Sequence, residues 1–149
     1  MPTSLVDCAS GVKVSVRYAR APLQSPHGTT ALVFTHPYGP MGGNADNNVV
    51  QALFQHFGRQ GYNVVAFDFR GSGKSTGSTS YTASPEAEDT RKVVEFILSL
   101  PAEPGQHAAI SRIVMCGYSY GSVVAGLVVD DIPQVIGFVA IAYPFSVLW

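Results

Sequence analysis

Residues 112–129 read RIVMCGYSYGSVVAGLVV, and this stretch decides the fold. The first seven residues form an apolar run of strand length, and the small apolar residues after Ser119 predict a helix that continues to about residue 130. Gly117 and Gly121 lie two positions away from Ser119 on either side. Bulkier side chains at those two positions would collide with the neighbouring strand and helix. The stretch therefore predicts a strand, a tight turn with a serine at the bend, and a helix.

Further apolar runs of strand length lie on both sides of this turn, at 31–36, 62–69 and 135–142. Continuous apolar runs of this length are typical of strands that are buried on both faces of a parallel sheet. Residues 12–18 instead alternate apolar and polar side chains, which predicts a half-exposed strand near an edge of the sheet.

Two helical patterns separate the strands. From 46 to 59 apolar residues recur every three or four positions, and Gly61 is placed to end that helix. A second helix is predicted from 84 to about 100, with Ser84 as its capping hydroxyl and a proline at its first position. Strands that alternate with helices predict an α/β protein: a three-layer α/β sandwich with a mostly parallel sheet, in a single domain over residues 1–149.

The composition argues against several classes of function. The net charge is -1 and there is no basic cluster, so neither nucleic acid nor an anionic membrane surface is expected as a partner. No apolar stretch approaches the ~20 residues of a membrane span and no signal-peptide pattern is present, so a cytoplasmic location is expected. Cys8 and Cys116 make neither a disulfide framework nor a metal site, and no metal or other cofactor is expected.

The pattern Gly117-x-Ser119-x-Gly121 is that of a nucleophile elbow, which presents a serine Oγ for attack on a carbonyl. The motif is short and matches often by chance, but the strand before it and the helix after it supply the required context. The alternative is a plain strand-to-helix turn in which Ser119 is only a cap.

A second glycine-rich loop follows the strand at 31–36. In acyl transfer the developing oxyanion needs two backbone N–H donors, one from the residue after the nucleophile, here Tyr120, and one from a loop of this kind. Pro37 has no N–H, so Tyr38 is the candidate and Gly39 the second choice. An ordinary glycine-rich turn is the alternative.

Residues 71–76, GSGKST, resemble the end of a phosphate-binding P-loop. That pattern needs a glycine five residues before Gly73, where this chain has Asp68, and a helix that starts directly at the lysine. The stretch TGSTSYTASP leads up to the next helix start, so no helix begins at the lysine and nucleotide binding is not expected.

Three motifs together resemble the α/β-hydrolase superfamily: THPYGPMGGNADNNVV (35–50), FDFRGSGKSTGS (67–78) and CGYSYGS (116–122). The chain is most similar to a branch of small intracellular hydrolases with a His-Pro-x-Pro-like oxyanion loop. The resemblance covers about residues 31–146. One departure is Gly39-Pro40, because the branch usually has proline directly after the third loop residue.

The resemblance implies a nucleophile at Ser119 and an oxyanion hole built from the amides of Tyr120 and Tyr38. It implies a structural role beside the site for three further residues, Asp68, Arg70 and Gly71. It also implies that His36, at a strand end, orders the oxyanion loop rather than acting as a general base.

The rest of a catalytic triad is missing. The superfamily order is serine, then Asp or Glu, then histidine, yet the four histidines, His27, His36, His56 and His107, all precede Ser119. Asp130 and Asp131 follow it at the far end of the predicted helix, too distant to act with it. The expectation is an incomplete, N-terminal part of a longer enzyme, inefficient by itself, whose strand at 135–142 has an unpaired edge that favours self-association.

The leading hypothesis is a hydrolase of a carboxylic ester, thioester or amide, with a small-molecule acyl substrate and an acyl-enzyme on Ser119. A non-catalytic protein that keeps the pocket and binds a ligand or partner is the first alternative, because no histidine follows the serine. An acyltransferase on the same scaffold is the second.

Overall fold

The computed structural model describes residues 1–146 and shows a six-stranded mixed sheet with helices on both faces. The strands are β1 (Thr3–Asp7), β2 (Lys13–Ala19), β3 (Thr30–Thr35), β4 (Asn63–Phe67), β5 (Arg112–Tyr118) and β6 (Val135–Ile141). They lie in the order β1-β2-β4-β3-β5-β6 across the sheet. The pairs β1–β2 and β2–β4 are antiparallel, and the other three are parallel. The predicted α/β sandwich with a mostly parallel sheet is confirmed.

The helices are α1 (Asn48–Arg59), α2 (Ser84–Ser99) and α3 (Tyr120–Gly126), with short 3-10 turns at Ala9–Gly11 and Gly39–Met41. Side chains of the central strands alternate between two cores, as the two-residue period of a strand requires. Leu32 of β3 belongs to the core with Phe54 of α1. Its neighbour Val33 belongs to the core with Ile97 of α2 and Val124 of α3. The sheet therefore has α1 on one face and α2 and α3 on the other.

The carboxyl ends of three strands lie side by side. Gly117 of β5 pairs with Thr35 of β3 on one side and with Ala140 of β6 on the other. Because β4 is parallel to β3, its carboxyl end lies at the same edge of the sheet. This edge therefore carries Ser119, the loop after β3 and the loop after β4.

The amino-terminal part of the sheet differs from the sequence-based prediction. β1 forms an outer strand that the pattern does not predict, and it pairs along the whole of Asp7 to Thr3 with β2. As a result β2 lies second from the edge, and its Val14 and Val16 are fully buried.

The last two elements also differ. Residues 135–142 form the predicted strand, but Ile136, Phe138 and Val139 are 59%, 39% and 46% exposed rather than buried. Within residues 1–146 no further strand pairs with the outer edge of β6. The helix that was expected to reach about residue 130 ends at Gly126.

The start of α2 is built differently from the predicted cap. The N-cap is Ala83, at φ 61°, and no side chain caps the helix, so the assignment of Ser84 as capping hydroxyl is wrong. Proline does stand in the first turn, as predicted. The acid of that turn, Glu86, is completely buried instead of facing solvent.

Candidate active site

Ser119 stands directly between β5 and α3, with φ 55° and ψ -124°. A non-glycine residue with this backbone is strained, typically by about 1–3 kcal/mol, and persists only where the surroundings hold it. Here the Ser119 N–H donates to Ile141 O at 2.9 Å. Its carbonyl accepts the Ser122 N–H at 2.9 Å and the Ser122 Oγ–H at 2.5 Å. Both peptide groups of the bend are therefore fixed, one by β6 and one by α3.

The two flanking glycines are required by close packing of backbone on backbone. A Cβ on Gly117 would overlap Ser122 Cα and lie 2.6 Å from Ser122 N. A Cβ on Gly121 would lie 2.5 Å from the carbonyl carbon of Thr35 in β3. Thr35 also donates its Oγ1–H to Gly121 O at 2.7 Å. The elbow is thus locked against the neighbouring strand, which no larger residue at 117 or 121 would allow.

The loop after β3 lies against this elbow. Tyr38 precedes the 3-10 turn, and its carbonyl accepts the N–H groups of Met41 and Gly43, both at 3.1 Å. The rings of Tyr38 and Tyr120 meet edge to face, with 5.0 Å between their centroids. A Cβ on Gly39 would collide with Ser72 Oγ of the loop after β4. The structure therefore brings the two predicted oxyanion residues together, with Gly39 packed behind Tyr38.

His36 is completely buried and both of its ring nitrogens are used. The Phe69 N–H donates to Nε2 at 2.9 Å, so the proton must be on Nδ1, which donates to Pro37 O at 2.6 Å. Burial lowers the pKa of His36 to about 4, which keeps the ring neutral. A ring with no free lone pair cannot take the serine proton, and its two bonds instead join the loops after β3 and β4.

Asp68 lies at the end of β4 with both carboxylate oxygens engaged. Oδ1 accepts the Ala45 N–H at 2.8 Å and Oδ2 accepts the Lys74 N–H at 3.0 Å. Gly73 passes so close that a Cβ there would lie 2.6 Å from Asp68 Oδ1. In a P-loop these amides would face a phosphate. Here a buried carboxylate already occupies the bend, which supports the exclusion of nucleotide binding.

Arg70 and Gly71 fix the next part of this loop. The Arg70 guanidinium makes a two-pronged ion pair with Asp89 of α2, at 2.6 Å from Nε to Oδ2 and 2.7 Å from Nη2 to Oδ1. Gly71, at φ 73°, donates its N–H to Thr76 O at 3.0 Å, and a Cβ there would lie 2.6 Å from Thr79 N.

Sequence reasoning missed the partners of this loop on α2. Glu86 and Asp89 are both fully buried, and Glu86 accepts the N–H and Oγ–H of Ser80. A signal was available, because Glu86 and Asp89 stand at helical spacing before the apolar stripe of Val93 and Ile97. Acids on the buried stripe of a helix require partners.

The other three histidines lie away from Ser119. His27 precedes β3 and stacks on Tyr62, with 4.2 Å between ring centroids. His107 precedes β5, and its Nδ1 lies 2.8 Å from Ala21 O. His56 belongs to the last turn of α1. Each of these positions is at the amino-terminal edge of the strands, opposite the edge that carries Ser119.

The two acids that follow Ser119 in the chain have other surroundings. Asp131 forms an ion pair with Arg91 of α2, and Asp130 is exposed in the turns that follow α3. The continuous helix on which their distance from Ser119 was expected to depend is not present, since α3 ends at Gly126.

Over residues 1–146 no three His, Cys, Asp or Glu side chains are grouped so that they could hold a metal ion. No helix in the same residues is long and apolar enough to cross a membrane. The cytoplasmic location stays a prediction.

Residues 10–149 match the family described as X-Pro dipeptidyl-peptidase (S15 family). The chain belongs to this family. S15 membership and the similar solved structures confirm the resemblance to the α/β-hydrolase superfamily.

The proteins to which this chain is similar are longer than the chain itself. An uncharacterized protein of Rickettsia prowazekii is 29% identical over 136 residues, which are 91% of this chain and 53% of that protein. A protein of unknown function from Agrobacterium tumefaciens has 24% identity and a TM-score of 0.80, over 97% of this chain and 64% of that one. An alpha-beta serine hydrolase homologue from Coxiella burnetii has 24% identity and a TM-score of 0.78, with the same coverage. At these identities the structures show the fold alone.

Proposed function

We propose that this chain supplies the nucleophile and the oxyanion hole of a serine hydrolase that acts on a carboxylic ester, thioester or amide. The observation that carries the proposal is Ser119 itself. Its strained backbone is held at a bend that only glycines at 117 and 121 permit. Backbone strain that the surrounding structure holds in place is typical of functional sites.

In the proposed reaction the Ser119 Oγ attacks the substrate carbonyl carbon, and its proton passes to a base. The amides of Tyr120 and Tyr38 bind the oxyanion that forms, with the Gly39 amide as the alternative to Tyr38. The leaving group takes up the proton, and an acyl group stays on Ser119 until water releases it as a carboxylic acid. The contact between the Tyr38 and Tyr120 residues supports this pairing.

The base is not one of the four histidines of this chain. His36 is the only one at the right edge of the sheet, and its two nitrogens are used by Phe69 and Pro37. In α/β-hydrolases the triad histidine follows the nucleophile in the chain. We therefore assign His36 a structural role together with Asp68, Arg70 and Gly71, namely to hold the two loops beside Ser119.

The proposed substrates are carboxylic esters, thioesters and amides. The S15 family description names a peptidase, which cleaves an amide bond. A small acyl substrate is proposed on chemical grounds only, since an elbow serine attacks any activated carbonyl that reaches it.

The test uses the native protein, isolated from its source cells, and a fluorophosphonate probe that reacts with activated serines. We expect covalent labelling of the peptide that contains Ser119, and its complete loss in Ser119→Ala. Ser111→Ala, a change at an exposed serine just before β5, is the matched control and should label like the wild type. Labelling that persists in Ser119→Ala would contradict the proposal.

A non-catalytic binding protein is the second candidate, and the occupied nitrogens of His36 are the observation that favours it. This candidate predicts that the surface around Ser119 binds an acyl compound without turnover. Ester hydrolysis by the 149-residue chain that disappears in Ser119→Ala would defeat this reading. An acyltransferase would be distinguished from a hydrolase by preference for an alcohol or amine acceptor over water.

We also propose that the 149-residue chain self-associates through β6. The exposed Phe138 and Val139 and the unpaired outer edge of this strand within residues 1–146 support the proposal.

A further inference from the structure

We propose that two buried carboxylates of α2, Asp89 and Glu86, are positioning residues for the loop that binds the oxyanion. This inference rests on the proposed function, and it adds to the active site a second layer that lies on a helix. Both residues act on that loop through the loop after β4.

Asp89 holds one end of that loop. Its side chain is fully buried and its two oxygens accept both prongs of the Arg70 guanidinium. The thiol of Cys8 also faces this carboxylate, and burial together with Asp89 raises the pKa of Cys8 to about 12. A two-pronged Arg–carboxylate pair fixes direction as well as distance, so Arg70 is held in one orientation against α2.

Glu86 holds the other end, one helical turn before Asp89. Its two oxygens accept the Ser80 N–H at 2.7 Å and the Ser80 Oγ–H at 2.5 Å. Burial and then the Glu86 charge raise the pKa of Tyr120, the residue after Ser119. The segment from Arg70 to Ser80 is thus tied to α2 at both ends.

The two residues before this segment, and Ser72 within it, contact the oxyanion loop on the other side. The Phe69 N–H bonds to His36, and the Asp68 carboxylate bonds to the Ala45 amide. Ser72 Oγ is buried, has no hydrogen-bond partner within residues 1–146, and packs against Gly39. These contacts begin at the residue next to Arg70, so a displacement of Arg70 is passed directly to the loop that carries Tyr38.

The consequence of losing Asp89 follows from charge and burial. In Asp89→Asn an amide NH2 replaces one carboxylate oxygen and faces an N–H group of the guanidinium, so two donors meet. The mostly buried Arg70 also loses the negative charge that pairs with it. Because an unpaired guanidinium is more stable in water, Arg70 turns toward solvent and displaces the neighbouring Phe69. A shift of about 1 Å at an oxyanion donor can reduce turnover about hundredfold.

The experiment compares three variants of the native protein with the wild type. Asp89→Asn breaks the first tie, and Ser80→Ala removes the hydroxyl bond of the second tie. Glu95→Gln, an exposed acid on the same helix, is the control. We expect amide hydrogen exchange in residues 36–45 to become at least about tenfold faster in the first two variants. The kcat, or the rate of fluorophosphonate labelling, should fall by about tenfold to hundredfold while KM stays within about twofold. Glu95→Gln should match the wild type in all three.

Unchanged exchange in residues 36–45 in the folded variants would overturn the positioning role. So would a change confined to KM. If Asp89→Asn does not fold, Ser80→Ala decides the outcome, since it removes one hydroxyl from a surface loop. If wild-type Ser119 fails to label, the proposed function fails by itself, and the exchange measurement still reports whether α2 holds the loop.

Discussion

The substitution Gly117→Ala offers a quantitative test of the elbow. The added methyl would overlap Ser122 Cα and lie 2.6 Å from Ser122 N and 2.7 Å from Gly121 O. Carbon contacts normally lie at about 3.5–4.0 Å, so the start of α3 must move by about 1 Å. Every atom in the way belongs to backbone, so no rotamer change can relieve the overlap. Overpacking of this kind costs about 1–3 kcal/mol or more, and we expect a loss near the upper end, about 3 kcal/mol.

The assay is urea unfolding of the native protein followed by far-ultraviolet circular dichroism, together with the rate of fluorophosphonate labelling. The matched control is Gly58→Ala in α1, where the new methyl would lie an ordinary 3.5 Å from Val64 Cγ2. That variant should be more stable by about 0.5–1 kcal/mol, because alanine favours the helix. Stability of Gly117→Ala within about 0.5 kcal/mol of the wild type, with labelling unchanged, would refute the reasoning about this turn.

Three further predictions concern the loops and the outer strand. The pKa of His36 is about 4 when folded against 6.5 when unfolded, so the unfolded chain binds more protons between these values. The free energy of unfolding should therefore fall by up to about 3 kcal/mol from pH 6.5 to 4. An equal fall in His36→Gln would show that the pH dependence does not come from the buried His36. Asp68→Asn places a buried amide NH2 against a backbone N–H and should lower the free energy of unfolding in urea by about 1–3 kcal/mol. The exposed Asp46→Asn should stay within about 0.5 kcal/mol of the wild type. Equal effects of the two changes would exclude the role given to Asp68. Val139→Lys on β6 should reduce the sedimentation coefficient of the 149-residue chain to that of a monomer, and a wild-type chain that is already monomeric would dismiss the association.

The strands and the elbow could be predicted because their signals are local. Four of the six strands are apolar runs with turn residues on both sides, and β5 coincides with the predicted 112–118. The serine turn is specified by five consecutive residues whose neighbours decide its context. β1 was missed because it is a short outer strand with exposed side chains such as Leu5, so burial leaves little trace in its sequence.

The contacts that hold the site could not be predicted, because they join residues that are far apart in the chain. Nothing near His36 indicates that the Phe69 amide, 33 residues later, occupies its Nε2. The pairing of Arg70 with Asp89 spans 19 residues. The N-cap of α2, Ala83, has a left-handed backbone that local preference disfavours and that its buried surroundings impose.

In the proposed function Ser119 becomes acylated in each turnover. The direct measurement is rapid quenching of the native protein with an activated ester, followed by mass spectrometry of the intact protein and of its peptides. The account predicts one acyl group per chain, on the peptide that contains Ser119, formed before steady turnover and absent in Ser119→Ala. Turnover without an acyl group on that serine, or an acyl group that survives in Ser119→Ala, would contradict it.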